Sequence, residues 1–125
     1  MSADEPNTAP TASELRRFAA MFAALGHEAR VQIVRALLAA HPQGMVAGEI
    51  QRELDIPAST LSHHLDALRQ EGLIEQQREG RFLRYLAGAA ALRQLLDFLY
   101  AECCTRQSVV QISLPRTPSP NPEVA

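Results

Sequence analysis

Residues 57–86 carry the pattern that most restricts what this chain can fold into. The segment opens with residues of helical period, and a helix turns by about 100° per residue. One side of this helix is apolar and consists of Leu61, Leu65 and Leu68. The opposite side is polar and consists of Ser59, Thr60 and His63. Gly72 then ends the helix, and two strand-like runs follow it. The pattern predicts an amphipathic helix with a small-polar outer face, followed by a β-hairpin.

A shorter helix is predicted immediately upstream, over residues 46–54, where apolar residues stand at positions 46, 47, 50 and 54. Asp55 and Pro57 lie where a short connection would turn, and the proline pre-sets the first helical dihedral angle. Two helices in this order make a helix-turn-helix. Serine, threonine and histidine on the outer face of its second helix suit base edges and phosphate oxygens in a major groove.

The hairpin adds arginines to this surface. Runs 73–77 and 81–86 flank Glu79–Gly80, and a glycine between two strand-like runs is a strong hairpin signal. Arginines at an exposed hairpin can simply be solvated, but here they follow the polar helix face closely in the chain. We therefore predict a wing. The candidate DNA contacts are Ser59, Thr60, Ser62, His63, Arg78, Arg81 and Arg84.

The remaining helices complete a mainly α fold with one β-hairpin. Thr11 and Glu14 form a capping box ahead of a helix that Gly26 closes. A second helix is predicted from about residue 28 to 40, with Val31, Val34, Leu37 and Leu38 facing inward. The last helix, about 89–105, carries an apolar stripe at Leu92, Leu95, Leu96 and Leu99. The first and last helices are richly apolar for a small domain, so we expect them to pair across a homodimer.

Composition limits the rest of the chain. The 125 residues, 46% of them hydrophobic, support one domain, predicted at 11–105. Residues 1–10 and the proline-rich residues 106–125 are predicted to be disordered tails. No segment resembles a membrane span or a signal peptide, so we expect a cytoplasmic protein without membrane contact. A net charge of −2 argues against indiscriminate coating of nucleic acid.

Cys103 and Cys104, the only two cysteines, are neighbours in the chain. Adjacent Cα atoms lie about 3.8 Å apart, shorter than the roughly 4.4 Å that a disulfide usually requires. One soft, thiophilic ion could bridge the two thiols. Structural zinc is not expected, because it takes four ligands and the four histidines lie on other predicted elements. Trivalent arsenic or antimony needs three ligands, and the two cysteine thiols would supply two of them.

The chain resembles the ArsR/SmtB family of dimeric winged-helix repressors over roughly residues 13–105. The resemblance rests on three segments, residues 24–33 (ALGHEARVQI), 59–65 (STLSHHL) and 79–85 (EGRFLRY). It implies a homodimeric repressor that binds operator DNA and is released by an inducer. The two-fold symmetry of such a dimer predicts an operator that is an imperfect inverted repeat. The enzyme alternative, a thiol oxidoreductase, is disfavoured because the chain has no Cys-x-x-Cys motif, no partner base near the cysteines and no substrate-pocket signature, so we do not expect an enzyme.

The resemblance also narrows the inducer. Val46–Glu49 stand where some family members carry arsenic-binding cysteines, and Asp97 lacks the histidine that follows it in the zinc-sensing pattern. The Glu102-Cys103-Cys104 ending is similar to members that sense arsenic from the last helix. No third cysteine follows within 105–110. Arsenite could take its third ligand from hydroxide, Ser108 or another side chain, whereas methylarsenite needs only two thiolates. A thiol-oxidation or persulfide switch is the alternative.

Overall fold

The computed structural model describes residues 9–104, with side chains described to residue 101. Five helices and three strands lie within these residues. The helices are α1 (Ala12–Leu25), α2 (Glu28–Ala39), α3 (Ala47–Leu54), α4 (Ala58–Gln70) and α5 (Ala89–Cys104). The strands are β1 (Met45–Val46), β2 (Ile74–Glu79) and β3 (Phe82–Ala87). The mainly α fold with a β-hairpin, a winged helix-turn-helix, is confirmed.

The described residues belong to two compact units. One unit, Thr8–Leu96, contains α1–α4, the strands and the first half of α5. The second half of α5, from Asp97 onward, belongs to the other. The single domain predicted at 11–105 stays a prediction. Apart from residues 9 and 10, the two predicted tails lie outside the described residues, as do the side chains of Cys103 and Cys104. None of the helices described between residues 9 and 104 is long and apolar enough to cross a membrane.

The predicted capping box starts α1. The Glu14 amide donates to Thr11 Oγ1 at 3.1 Å, and the Thr11 amide donates to Glu14 Oε1 at 3.0 Å. Two amides that would otherwise lack helical partners are satisfied in this way. Gly26 ends the helix as predicted. Both ends of α1 are therefore set by local sequence.

The core lies between the helices and against the first residue of β2. Its largest fully buried side chains are Met21, Ile33, Leu37, Ile50, Leu61, Leu68, Leu73 and Ile74. The inward face predicted for α2 was partly wrong, because Val31 and Leu38 are 43% and 47% exposed. The buried face of α2 is formed by Ile33, Val34 and Leu37. Val31 and Leu38 lie roughly 100° around the helix from the centre of that face.

The sheet has three strands in the order β1-β3-β2, one more than the predicted hairpin. Val46 was predicted to be helical. It lies in β1 instead, where it pairs with Arg84 of β3, and α3 begins at the next residue. Gly44 allows this approach. Its φ is +74°, and a Cβ there would collide with the Tyr85 carbonyl oxygen. The third strand therefore depends on close backbone contact between distant parts of the chain.

The turn between β2 and β3 is formed by Gly80 and Arg81, because Glu79 pairs with Phe82. This is one residue later than predicted. Gly80 adopts a φ of +62°, which a glycine reaches without the steric cost that a side chain would meet. The two-residue turn brings Arg81 to the tip of the wing.

Candidate nucleic-acid interface

The connection between α3 and α4 fixes where the outer face of α4 begins. Asp55 adopts a left-handed conformation (φ 56°, ψ 51°), and its amide donates to the Gln51 carbonyl. Asp is one of the few residues that reach this region at low cost. Pro57 caps α4, and the Leu61 amide donates to its carbonyl oxygen at 2.8 Å. The helix thus starts one residue after the position predicted for it.

The outer face of α4 is polar along its first two turns. Its exposed side chains include four predicted contacts: Ser59, Thr60, Ser62 and His63. The opposite face is buried by Leu61, Leu65 and Leu68. Because the apolar face is held in the core, the polar face is held outward with its register fixed. The structure therefore places these four residues together on one accessible helix surface.

His64 was missed by the sequence reasoning and lies on the buried side of α4. It is 5% exposed, and its Nδ1 accepts a hydrogen bond from Arg30 Nε at 3.0 Å. Burial first, and then the neighbouring charges of His27, Arg30 and His63, lower the pKa of His64 below its ordinary value of 6.5. A helical projection could have found it, because position 64 lies about 40° from position 68, at the edge of the leucine face.

The wing separates the three predicted arginines into two kinds. Arg78 and Arg81 are exposed, and Arg78 Nη1 makes one long contact with the Gly80 carbonyl, at 3.4 Å. Arg84 is engaged inside the fold. Its Nε lies 3.0 Å from Glu79 Oε2, and its Nη1 donates to the Gln43 carbonyl at 3.3 Å. Arg84 therefore holds β3 to the loop before β1, while Arg78 and Arg81 remain the more accessible cations.

Phe82 is a second residue that sequence reasoning did not single out. It is 59% exposed and directly follows Arg81 at the wing tip. Exposed apolar side chains beside cationic ones occur where proteins insert into or against a minor groove. The wing therefore offers both charge and apolar surface to a duplex.

A pair of arginine variants should separate these roles. Arg81→Ala is expected to reduce the salt dependence of DNA binding by roughly one unit of log–log slope per protomer, because one phosphate contact is lost. Arg84→Ala should leave that slope unchanged and instead lower the free energy of unfolding by about 1 kcal/mol. The measurements are anisotropy titrations at several salt concentrations and denaturant melts. An unchanged slope in Arg81→Ala would remove Arg81 from the interface.

The apolar helix faces predicted for dimerisation are partly exposed within Thr8–Leu96, although Phe18, which belongs to the predicted face of α1, is buried. Leu15 and Phe22 on α1 are 49% and 41% exposed, and Leu96 on α5 is 64% exposed. Arg17 Nη2 donates to Gln94 Oε1 at 2.8 Å, which places α1 beside the first half of α5. Leu95, by contrast, is only 5% exposed. It belongs to the core of the protomer and is not available to a partner.

The backbone of α5 is helical through Cys103 and Cys104, but the surroundings of their side chains lie outside the described residues. Among the described side chains, no group of three or more His, Cys, Asp or Glu residues is placed to hold a metal ion. Cys103 and Cys104 stay a ligand pair predicted from the sequence.

Known proteins share this architecture. A helix-turn-helix domain model matches residues 25–77. The chain is 34% identical over 86 residues to the HTH-type transcriptional regulator YgaV of Escherichia coli, covering 69% of this chain and 85% of that one. It is 30% identical over 83 residues to the biofilm growth-associated repressor of Xylella fastidiosa, covering 66% and 70%.

A solved structure supports the same assignment. The ArsR-like transcriptional regulator from Rhodococcus sp. RHA1 is 30% identical and superposes with a TM-score of 0.62 over 75% of this chain and 89% of that one. The names of these relatives describe regulators of transcription and not enzymes, in agreement with the sequence-based expectation. The matches include the helix-turn-helix whose geometry is described above. The chain therefore belongs to the ArsR/SmtB family of winged helix-turn-helix transcriptional regulators.

Proposed function

We propose that the protein is a homodimeric repressor that binds an imperfect inverted-repeat operator and leaves it when an inducer binds. The observation that carries this proposal is the outer face of α4, where Ser59, Thr60, Ser62 and His63 are all exposed. Polar side chains of this size can reach base edges when a helix lies in the major groove. The relative from Xylella fastidiosa is named a repressor and HlyU of Vibrio cholerae is named a transcriptional activator, so the proposal of repression rests on the resemblance of the sequence to the repressor family.

The charge distribution supports site-specific binding over general binding. The chain has a net charge of −2, so its overall field does not attract DNA. Local attraction comes from the wing, where Arg78 and Arg81 are exposed. In a two-fold dimer the two wings would contact phosphates on either side of the recognition helices. Base contacts from α4 would then supply the discrimination between sites.

A selection experiment tests this operator model. Random duplexes enriched on the purified protein should converge on an inverted repeat whose half-sites lie about one helical turn, roughly 34–36 Å, apart. The spacing follows from the two-fold symmetry of a dimer. Convergence on a single unpaired half-site would contradict the dimeric mode, and failure to enrich any sequence would contradict specific recognition.

For the inducer, we propose trivalent arsenic, with antimonite as a chemical analogue. Two neighbouring thiols at the end of α5 favour a soft centre of low coordination number. Arsenite would complete three ligands with hydroxide, Ser108 or another side chain. Methylarsenite carries its methyl group already and needs only the two thiolates. The pairing of the two cysteines in sequence is what supports this assignment.

Release requires that the inducer disfavour the DNA-binding geometry. Neighbouring side chains on a regular helix point about 100° apart, so one bridging atom would draw them together and distort the last turn of α5. α5 begins beside α1, where Gln94 accepts a hydrogen bond from Arg17. A distortion that passes along α5 could therefore alter the proposed dimer contacts. The coupling typical of such systems is about 1–3 kcal/mol, or roughly 5- to 150-fold in affinity, and it is reciprocal.

Serine variants test the sensing site. Cys103→Ser and Cys104→Ser should each bind operator like the parent protein, yet fail to release it when arsenite, methylarsenite or antimonite is added. The hydroxyl removes the thiolate ligand with little change in size. Anisotropy of a labelled operator measures release. Loss of DNA binding in either variant would make the cysteines structural, and normal release would move the arsenic site elsewhere.

The same assay distinguishes the thiol-oxidation alternative. Peroxide and polysulfide replace the arsenic compounds in parallel titrations of the parent protein. Release by these oxidants, together with no response to arsenic, would support an oxidation or persulfide switch at the same two cysteines. Release by arsenic alone would support the proposed inducer class.

A further inference from the structure

Arg30 links three helices at one point. From α2, its Nε donates to His64 Nδ1 on α4 at 3.0 Å, and its Nη1 donates to the Ala24 carbonyl oxygen in the last turn of α1 at 3.3 Å. We call this pair of residues, Arg30 and His64, the Arg30–His64 clamp. It joins the helix proposed to face DNA to the end of a helix proposed to face the partner subunit.

The clamp requires neutral His64. A guanidinium group can only donate, so His64 Nδ1 must accept and the ring proton must lie on Nε2. A proton added at Nδ1 would remove the acceptor and place a second positive charge against Arg30. The hydrogen bond from Arg30 can therefore form only while His64 is uncharged.

Groups at three places in the fold disfavour a positive charge on His64. The His27 ring, at the junction of α1 and α2, meets the His64 ring edge-on with centroids 4.7 Å apart. The His63 ring on α4 lies at 5.9 Å, and Arg30 approaches from α2. Burial and these three groups all lower the pKa of His64, with burial first. None of the groups that act on His64 here is a carboxylate that would stabilise the imidazolium.

We propose that Arg30 and His64 are positioning residues for operator recognition, and that proton uptake by His64 opens the clamp and weakens operator binding. His63, the neighbouring residue on α4, is exposed on the face proposed to contact bases. A rotation or shift of α4 that releases His64 from Arg30 must also displace His63. The inference rests on the proposed operator binding and adds that protonation of His64 changes the position of the recognition helix α4.

The direction of the pH effect follows from the lowered pKa. The neutral form is favoured in the folded protein, so the clamp is complete above the ordinary value of 6.5. Its contribution to stability is lost as the pH falls from 6.5 to the lower pKa of His64 in the folded state. Positioning and operator affinity should fall as the pH passes through and below that lower pKa, because His64 in the folded protein stays neutral above it.

His64→Asn is the decisive variant, because asparagine Oδ1 can take the place of Nδ1 as an acceptor but cannot be protonated. At about pH 8, His64→Asn should bind operator within about threefold of the parent protein. On acidification the parent should lose affinity relative to His64→Asn by at most about a hundredfold per pH unit, because the dimer links one proton at each of its two half-sites. His63 is present in both proteins, so a difference between them reports on position 64.

Two further variants complete the test. His41→Asn replaces an exposed histidine in the loop after α2 and should keep the pH profile of the parent. Arg30→Met removes the donor and should weaken operator binding at every pH, with little remaining pH dependence. Circular dichroism at each pH confirms that the proteins compared are folded. If His64→Asn does not fold, the profile of Arg30→Met decides the question by the same criterion.

The outcomes separate this inference from the proposed function. Parent-like pH dependence in His64→Asn, or parent-like affinity in Arg30→Met, would overturn the clamp while leaving operator binding in place. If the parent protein bound a selected operator no better than random DNA at about pH 8, the proposed function itself would fail. A pH dependence that disappears only in His64→Asn and Arg30→Met supports the clamp.

Discussion

Leu96→Asp is expected to convert the protein to a folded monomer and to reduce operator affinity by about a thousandfold or more, toward the level of non-specific binding. Leu96 is 64% exposed on α5, two residues from Gln94, which contacts α1. A carboxylate at the centre of an apolar interface would have to be desolvated without a partner. Two recognition helices that are no longer linked would then bind their half-sites independently. Light scattering and anisotropy measure the two effects.

Two leucine variants serve as controls for this experiment. Leu38→Asp places the same charge on α2, at a leucine of comparable exposure (47%), and should leave both the dimer and operator binding intact. Leu95→Asp places it at a residue that is only 5% exposed and should unfold the protomer. Leu95 had been predicted to lie at the interface, and its burial within the protomer corrects that expectation. A folded Leu96→Asp monomer that still binds operator tightly would contradict the dimer model.

His63→Ala is expected to reduce operator affinity by about 2–6 kcal/mol, because a dimer loses two base contacts of about 1–3 kcal/mol each. His63 is exposed on α4, and its side chain lies opposite the buried leucines. Binding to random duplex should change much less, since phosphate contacts supply that affinity. The comparison is best made at about pH 8, where His64 is neutral and the Arg30–His64 clamp is closed.

His41→Ala is the matched control for this variant, because His41 is also exposed but lies outside the helix-turn-helix. It should bind operator and random duplex like the parent protein. An equal loss of affinity on both duplexes in His63→Ala would assign His63 to phosphate contact. No loss on either would remove it from the interface.

The two kinds of wing arginine bear on how an acidic protein can recognise DNA. Arg84 is neutralised by Glu79 and tied to the Gln43 carbonyl. The positive charge that remains accessible at the wing is therefore narrow, at Arg78 and Arg81. A narrow positive region on a chain of net charge −2 favours attachment in one orientation. Specificity then depends on how firmly α4 is held, which is the role inferred for Arg30 and His64.

Local patterns in the sequence determined much of this fold. The Thr11–Glu14 capping box and Gly26 set the ends of α1, and each depends on residues within a few positions of one another. The period of the leucines fixed which face of α4 turns outward. Gly80 marked the hairpin to within one residue. Such features could be predicted because caps, turns and helical faces are governed by contacts between near neighbours.

Tertiary structure decided the features that depend on distant residues. β1 exists because Met45 and Val46 meet β3 some 40 positions later in the chain, and Arg84 is drawn away from solvent at the same place. Leu95 and Leu96 are neighbours with the same side chain, yet packing buries one and exposes the other. His63 and His64 also differ, because His63 is exposed and His64 is buried. Arg30 on α2 supplies the hydrogen-bond donor to His64. Adjacent residues point about 100° apart on a helix, but which of the two meets the core, and what it meets there, depends on how the helix packs against distant elements.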